Sequence, residues 1–214
     1  MNFFEFVLDS YPILIQSLLR HVQLVIISVF AGIVVSVPLG IYLTRHKRLA
    51  SIVLVMAGIV QTIPGLVMLG FGMIIFGIGM TPALVVLSLY SILPILQNTY
   101  TGILQVDQNY SEAGRGIGMT NMQILFKVEL PLALPSIIGG IRISTVYIVS
   151  WATLGGMIGA GGLGDLIWTG LATYDRNYIL AGAIPSAIIA FVLSGIIGLL
   201  QRILTPKGLR GRSI

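Results

Sequence analysis

The sequence predicts an all-α integral membrane protein with five transmembrane helices, an amphipathic helix before them and a helical loop between the third and fourth. Composition is the first reason. Of 214 residues, 56% are hydrophobic and 9% charged, and the mean hydropathy is +1.00. A water-soluble domain carries about 25% charged residues, so lipid must be the main solvent of this chain. The second reason is the spacing of charge. Apolar stretches free of Lys, Arg, Asp and Glu recur at the length that crosses hydrocarbon, about 20 residues.

The elements follow in order. Residues 1–21 mix Phe3, Phe4, Val7, Leu8, Ile13, Leu14 and Leu18 with Glu5, Asp9, Gln16 and Arg20. That pattern reads as an amphipathic helix lying in the interface rather than a span. The first ten residues hold no Lys or Arg, so the basic n-region of a cleavable signal peptide is not expected. Span one is placed at 22–43. The stretch from Leu49 to Val106 is charge-free but too long for one crossing, and Gly77-Ile78-Gly79-Met80-Thr81-Pro82 divides it. Span two is therefore 50–76 and span three 83–104. Span four covers 134–157 and span five 178–202, which completes a permeating unit of 22–204 before a basic tail, 205–214. Each span holds a proline: Pro38, Pro64, Pro94, Pro135 and Pro185. A proline inside a helix removes a backbone hydrogen bond and bends it. Neighbouring helices can absorb that loss, and built-in bends also suit a pathway that alternates between two openings.

Basic residues set the orientation. Arg45, Lys47 and Arg48 follow span one, Arg115 and Lys127 lie between spans three and four, and Arg202, Lys207, Arg210 and Arg212 follow span five. Five spans put these three segments on one side, expected to be cytoplasmic, with the N-terminus outside. The formal charge of +5 is thus a membrane signal and not a nucleic-acid one, because the basic residues flank apolar runs. Without cysteine there are no disulfides, thiolate metal sites or cysteine nucleophiles. His21 and His46 are too few and too far apart to suggest a metal site. No G-x-x-x-x-G-K-[ST] occurs, so the chain is not expected to hold ATP phosphates. Neither catalytic residues nor a cofactor are expected, and any ATP would be bound by a partner subunit.

The loop 107–131 carries the most information. A segment this long between spans is usually functional or disordered, and its pattern is helical. Ser111-Glu112-Ala113 opens one short helix, with Ser111 as N-cap and Glu112 in the first turn. Gly116 and Gly118 break it. Met122, Leu125 and Phe126 recur at helical spacing in a second, which Leu130-Pro131 ends. Two helices at a turn make a stiff protrusion that fits the groove of a cytoplasmic partner.

The residues Glu112-Ala113-Gly114, then Gly118, then Val128-Glu129-Leu130-Pro131 resemble the E-A-A-x3-G-x9-I-x-L-P signature of bacterial ABC importer permeases. Gly114 stands for the second Ala and Val128 for Ile. The resemblance implies that Glu112, Ala113, Gly114, Gly118, Leu130 and Pro131 form the coupling loop that docks on an ATPase subunit. A capped surface helix with a glycine stop is the plain alternative. Along its length the chain resembles the MetI-like transmembrane domain, and within it the permeases of glycine betaine, carnitine and choline importers. The matching stretches include Gln61-Thr62-Ile63-Pro64, Leu93 to Ile103, Trp151-Ala152-Thr153-Leu154 and Gly159 to Asp165.

Several further residues are candidates. Tyr147 and Trp151 share a face of span four, where aromatic rings attract quaternary ammonium groups; packing or an interfacial belt is the competing reading. Gly159-x-Gly161-x-x-Gly164 formally matches a dinucleotide fingerprint, but no strand precedes it. With Gly162 it reads as a re-entrant or outer turn, either a plain turn or part of an outer gate. Arg142 lies in span four, where an ionisable residue is a functional candidate, a snorkelling side chain or a structural hydrogen-bond donor. Trp168, Tyr174 and Tyr178 are expected to anchor the outer interface, and Asp165, Asp175 and Arg176 lie in the same outer segment.

Five spans cannot enclose a pathway with two gates, so a second permease, identical or paralogous, is expected around a two-fold or pseudo-two-fold axis. The resemblance implies two copies of an ATPase, a separate extracellular binding protein and a small-molecule substrate, in a bacterial plasma membrane. Competing readings are an importer of the same type for an amino acid, methionine or a betaine-like thiol compound, an ion-coupled transporter or channel, and a non-transporting assembly factor. The ion-coupled reading is disfavoured because the spans contain no acidic residue.

Overall fold

The computed structural model describes residues 2–205. Among them the regular structure is entirely helical, in ten α-helices: α1 Phe3–Asp9, α2 Tyr11–Thr44, α3 Lys47–Thr62, α4 Gly65–Phe76, α5 Met80–Leu104, α6 Gln108–Gly116, α7 Asn121–Ile124, α8 Leu130–Ala152, α9 Leu163–Thr173 and α10 Arg176–Leu204. A π-helical turn, Leu125–Glu129, joins α7 to α8, and a 3-10 turn, Leu154–Ile158, follows α8. Among the described residues four helices are long and apolar enough to cross a membrane: α2, the run Asn121–Ala152, α5 and α10. The pair α3 and α4 bends by 95° and makes a fifth span if it crosses as one unit.

The helices α2, α5 and α8 form the centre. Within lipid no hydrophobic force drives helices together, so close contact and interhelical hydrogen bonds do the work. Gly32 and Gly40 of α2 sit against Ser91 and Thr99 of α5, and a Cβ on either would overlap its neighbour. Hydroxyls cross the same seam: Ser91 donates to the Ser28 carbonyl, Ser36 to the Ile92 carbonyl and Ser144 to the Ser91 carbonyl, each at 3.1 Å. Leu24, Val25, Leu87, Ile148, Val149 and Ala152 fill the core between these helices. In α10 only 6% of the most apolar stretch is fully buried; the helix packs on α8 and α9 along one side and leaves the other exposed.

Three boundaries differ from the sequence expectation. The expected interfacial segment 1–21 divides at Ser10, and α2 then runs unbroken through residue 21. Pro12 sits in the first turn of α2, where its missing N–H costs nothing. Of the polar residues that suggested an interface, Arg20 is satisfied by protein, its Nε donating to the Ala160 carbonyl, and the neighbouring His21 Nε2 bonds the Val149 carbonyl. Helix α1 packs back onto the bundle through Phe6, whose ring meets Tyr178 edge-on at 4.8 Å. Span two is two helices rather than one, because Ile63 adopts an extended backbone ahead of Pro64. Span four ends at Ala152, and the residues beyond form the 3-10 turn. The basic tail lies outside the described residues from Pro206 onward.

Candidate functional site

The segment between α5 and α8 is helical almost throughout, and its details correct the expectation. Helix α6 starts earlier than Ser111. Its cap is Asp107, whose carboxylate accepts from the Asn109 N–H at 2.9 Å. Ser111 instead turns its hydroxyl toward Glu129 Oε1, at 3.4 Å. Glu112 and Ala113 are exposed, while Gly114 is buried against Ile124 and Met119. The helix ends at Gly116, and Gly118 takes φ +83°, a left-handed backbone that glycine adopts freely. Thr120 then caps α7 in a capping box with Gln123.

Leu130-Pro131 does not end this second helix. The chain continues through the π turn into α8, with the Leu130 N–H bonded to the Leu125 carbonyl, five residues back. Pro131 offers no N–H, and the widened turn takes up that loss. The wide turn also rotates the helix, so Met122, Leu125 and Phe126 do not share a buried face. Leu125 and Ile124 are buried, whereas Met122 and Phe126 project outward with Ile117 and Tyr110.

An ion pair fixes the protrusion to the bundle. Arg45, at the end of α2, reaches Glu129 in the π turn at 2.5 Å. Through Ser111 the same carboxylate also touches α6. These groups, with Glu112 and Arg115, line a cavity of about 240 Å³. The sequence analysis missed this link, since Arg45 and Glu129 are 84 residues apart. An acidic residue between Val128 and Leu130, in an otherwise apolar junction, was the available signal.

Along α8, Tyr147 and Trp151 do share one face, and they wall a second cavity of about 200 Å³ with Gln61, Tyr90 and Ile148. The Tyr90 and Trp151 rings lie 4.3 Å apart, tilted by 34°. The cavity sits at the break between α3 and α4. Pro94 leaves the Tyr90 carbonyl without its helical partner, and Gln61 Nε2 donates to it at 3.2 Å. The Tyr90 hydroxyl donates in turn to the Ile63 carbonyl, which the break has freed. Gly65 opens α4 with no side chain because the Trp151 ring occupies that space. Tyr90 and Gln61 were not singled out from sequence as site residues, although the orphan carbonyl that Pro94 creates calls for such a donor.

At the far end of α8 from the loop, Gly159, Gly161 and Gly162 all take positive φ. Gly164 lies against the Thr153 carbonyl, and Gly162 against the backbone of His21. The run folds α9 back against α2 and α10 and receives the Gly79 N–H at the Ile158 carbonyl, 2.9 Å. Beside it Arg20, Asp165, Thr169 and Tyr178 line a cavity of about 550 Å³. Burial pushes the Asp165 carboxyl above the usual carboxylate range, against the Gly161 backbone hydrogen bond and the Arg20 guanidinium. Of the aromatic residues expected to anchor this end, only Tyr174 is fully exposed; the Trp168 indole donates to the Thr153 carbonyl, and Tyr178 packs on Phe6. Arg142 donates to Ser194 Oγ at 2.7 Å, a structural bond between α8 and α10. No group of His, Asp and Glu suited to a metal occurs among the described residues.

Apolar helices around a broken span, with a stiff helical protrusion at one end, define a multi-pass membrane component of a transport system. The chain belongs to the family of binding-protein-dependent transport system inner membrane components, whose model matches residues 36–209. It is 49% identical to the glycine betaine/carnitine/choline transport system permease protein OpuCB of Bacillus subtilis, over 90% of this chain and 88% of that one. It is 44% identical to the carnitine transport permease protein OpuCB of Listeria monocytogenes, over 94% and 92%. With the osmoprotectant import permease protein OsmW of Salmonella typhimurium the identity is 41%, over 98% and 100%. In structure it resembles a chain of the MetNI methionine ABC transporter solved in inward-facing conformations, with a TM-score of 0.82, 26% identity, and coverage of 92% and 99%.

Proposed function

We propose that this chain is the membrane-spanning permease of an ATP-driven importer of quaternary ammonium osmoprotectants: glycine betaine, carnitine and choline. The observation that carries the proposal is the joint one of relatives and loop. Permeases for these solutes match nearly the whole chain at 41–49% identity, and the signature loop is a stiff helical protrusion tied to the bundle by Arg45 and Glu129. In this reading the chain itself performs no catalysis. Glu112, Ala113 and Gly118 meet a cytoplasmic ATPase subunit, the buried Gly114 packs the turn behind them against Ile124 and Met119, and Met122 and Phe126 add apolar contact area. Two ATPase copies, a second permease and a separate extracellular binding protein complete the machine. The loop end faces the cytoplasm of a bacterial cell, the side that the basic residues around it favour. Closure of the ATPase pair drives the two loops together, and a rigid loop passes that motion to α2, α5 and α8.

The test is uptake of labelled glycine betaine, carnitine and choline at high osmolarity, with and without this subunit. Uptake of at least one compound that depends on the subunit supports the proposal. Unchanged uptake of all three, with methionine or another amino acid lost instead, overturns the substrate class and keeps the machine.

A further inference from the structure

We propose that the cavity walled by Gln61, Tyr90, Tyr147 and Trp151 is a binding site for a quaternary ammonium headgroup inside the permease. The proposal rests on the substrate class assigned above and adds to it a place in the membrane where that substrate is held.

The site is built where a span breaks. Gln61 lies about 21 Å along α3 from its start at Lys47, at 1.5 Å per residue. Against a hydrocarbon core about 30 Å thick, that is well inside the membrane. Irregular backbone at such depth persists only when it is buried in protein or lines a cavity. Here both conditions are met: Tyr90 and Gln61 satisfy the freed carbonyls, and the space beside them stays open.

The lining selects the ligand. Three aromatic rings and one amide face the space, and no acidic or basic residue does. Small cations hold their water too strongly to enter a site without charge, and anions are repelled by ring faces. A quaternary ammonium group has no N–H to satisfy, spreads its charge over methyl groups and is attracted to ring faces within about 6 Å. Packing alone does not explain the arrangement. Tyr147 is 53% exposed and lies at the cavity rather than in the core of the subunit. A volume of about 200 Å³ falls below the roughly 300–1,000 Å³ of drug-sized sites, which suits a small headgroup. A cage without a counter-charge also binds weakly, and a transported solute must leave again.

The chain has no cysteine, so a single introduced thiol reports on this cavity in the assembled transporter. In membranes carrying Gln61→Cys, maleimide labelling of this subunit is timed with tetramethylammonium, with choline, and with 3,3-dimethylbutan-1-ol, the uncharged carbon analogue of choline. The expected result is that both cations slow labelling several-fold and the neutral alcohol does not. Adding Tyr147→Leu raises the half-protecting cation concentration roughly threefold to thirtyfold, while Trp151→Phe, which keeps a ring face, shifts it less than Trp151→Leu. Equal slowing by the neutral alcohol, or no protection by either cation, overturns the site. Choline, carnitine and glycine betaine uptake is read in parallel in cells carrying the unaltered subunit. Uptake without protection removes the site and leaves the importer assignment standing; no uptake of any quaternary ammonium compound removes the assignment on which the site rests.

Discussion

Removing Arg45 should cost more than removing Glu129, although the two form one ion pair. The reason is their unequal burial. Arg45 is 48% exposed and Glu129 10%. In Arg45→Ala a nearly buried carboxylate loses its counter-charge and keeps only the Ser111 hydroxyl, at 3.4 Å. Breaking a fully buried pair in this way costs about 3–5 kcal/mol, and the half-solvated arginine lowers that to about 2–3 kcal/mol. In Glu129→Ala the arginine stays half in water and resolvates, so the loss is about 1 kcal/mol. The double variant should then cost less than the sum by about 1 kcal/mol or more. Denaturant unfolding of the purified subunit measures the four corners of the cycle. A second readout, ATP hydrolysed per solute imported, follows the mechanical role: Arg45→Ala should raise it, and the exchanged pair Arg45→Glu with Glu129→Arg should bring it part of the way back. Equal costs for the two single variants, or additivity within about 0.5 kcal/mol, would refute the reasoning.

Other outcomes follow from the same geometry. Gly114→Ala restores the signature residue in a position where a Cβ meets Ile124 and Met119 at 3.4 Å, ordinary contact; it should stabilise α6 by about 0.5–1 kcal/mol and leave uptake unchanged, as unfolding and transport assays would show. Gly118→Val forces a branched side chain into φ +83° at a cost of about 1–2 kcal/mol. Together with Glu112→Lys it should abolish coupled uptake while immunoblots show a normal amount of subunit in the membrane. Gly164→Ala places a Cβ 2.2 Å from the Thr153 carbonyl oxygen, which cannot move without shifting the end of α8. It should destabilise the subunit by about 1–3 kcal/mol or more, seen as faster loss of folded protein on heating.

The sequence disclosed what depends on composition and on local spacing. Charge-free runs located the crossing helices because hydrocarbon tolerates little else, and Gly118 and the glycines at 159, 161 and 162 marked turns because each needs a positive φ. Long-range pairing was not legible. Nothing local links Arg45 to Glu129, or Gln61 to Tyr90, and these pairs decide how the loop is held and how the broken span is satisfied. Polar residues misled where protein replaced water as their partner. Arg20 suggested an interfacial segment, yet the Ala160 carbonyl of the turn after α8 receives it, and α2 runs unbroken past it. Proline was read as a bend at each span, but only Pro64 breaks its helix; Pro94 acts instead through the carbonyl that it leaves for Gln61. The π turn was invisible because it follows from the junction of two helices through Pro131 and not from any residue's own preference.

The docking of the loop is tested most directly with a thiol at Ala113, which is exposed on α6. In membranes with the assembled transporter, Ala113→Cys should cross-link to the ATPase subunit, with a yield that changes when ATP is added. If that thiol instead reacts with a membrane-impermeant reagent added outside intact cells, and forms no cross-link to the ATPase, the loop does not couple the two subunits.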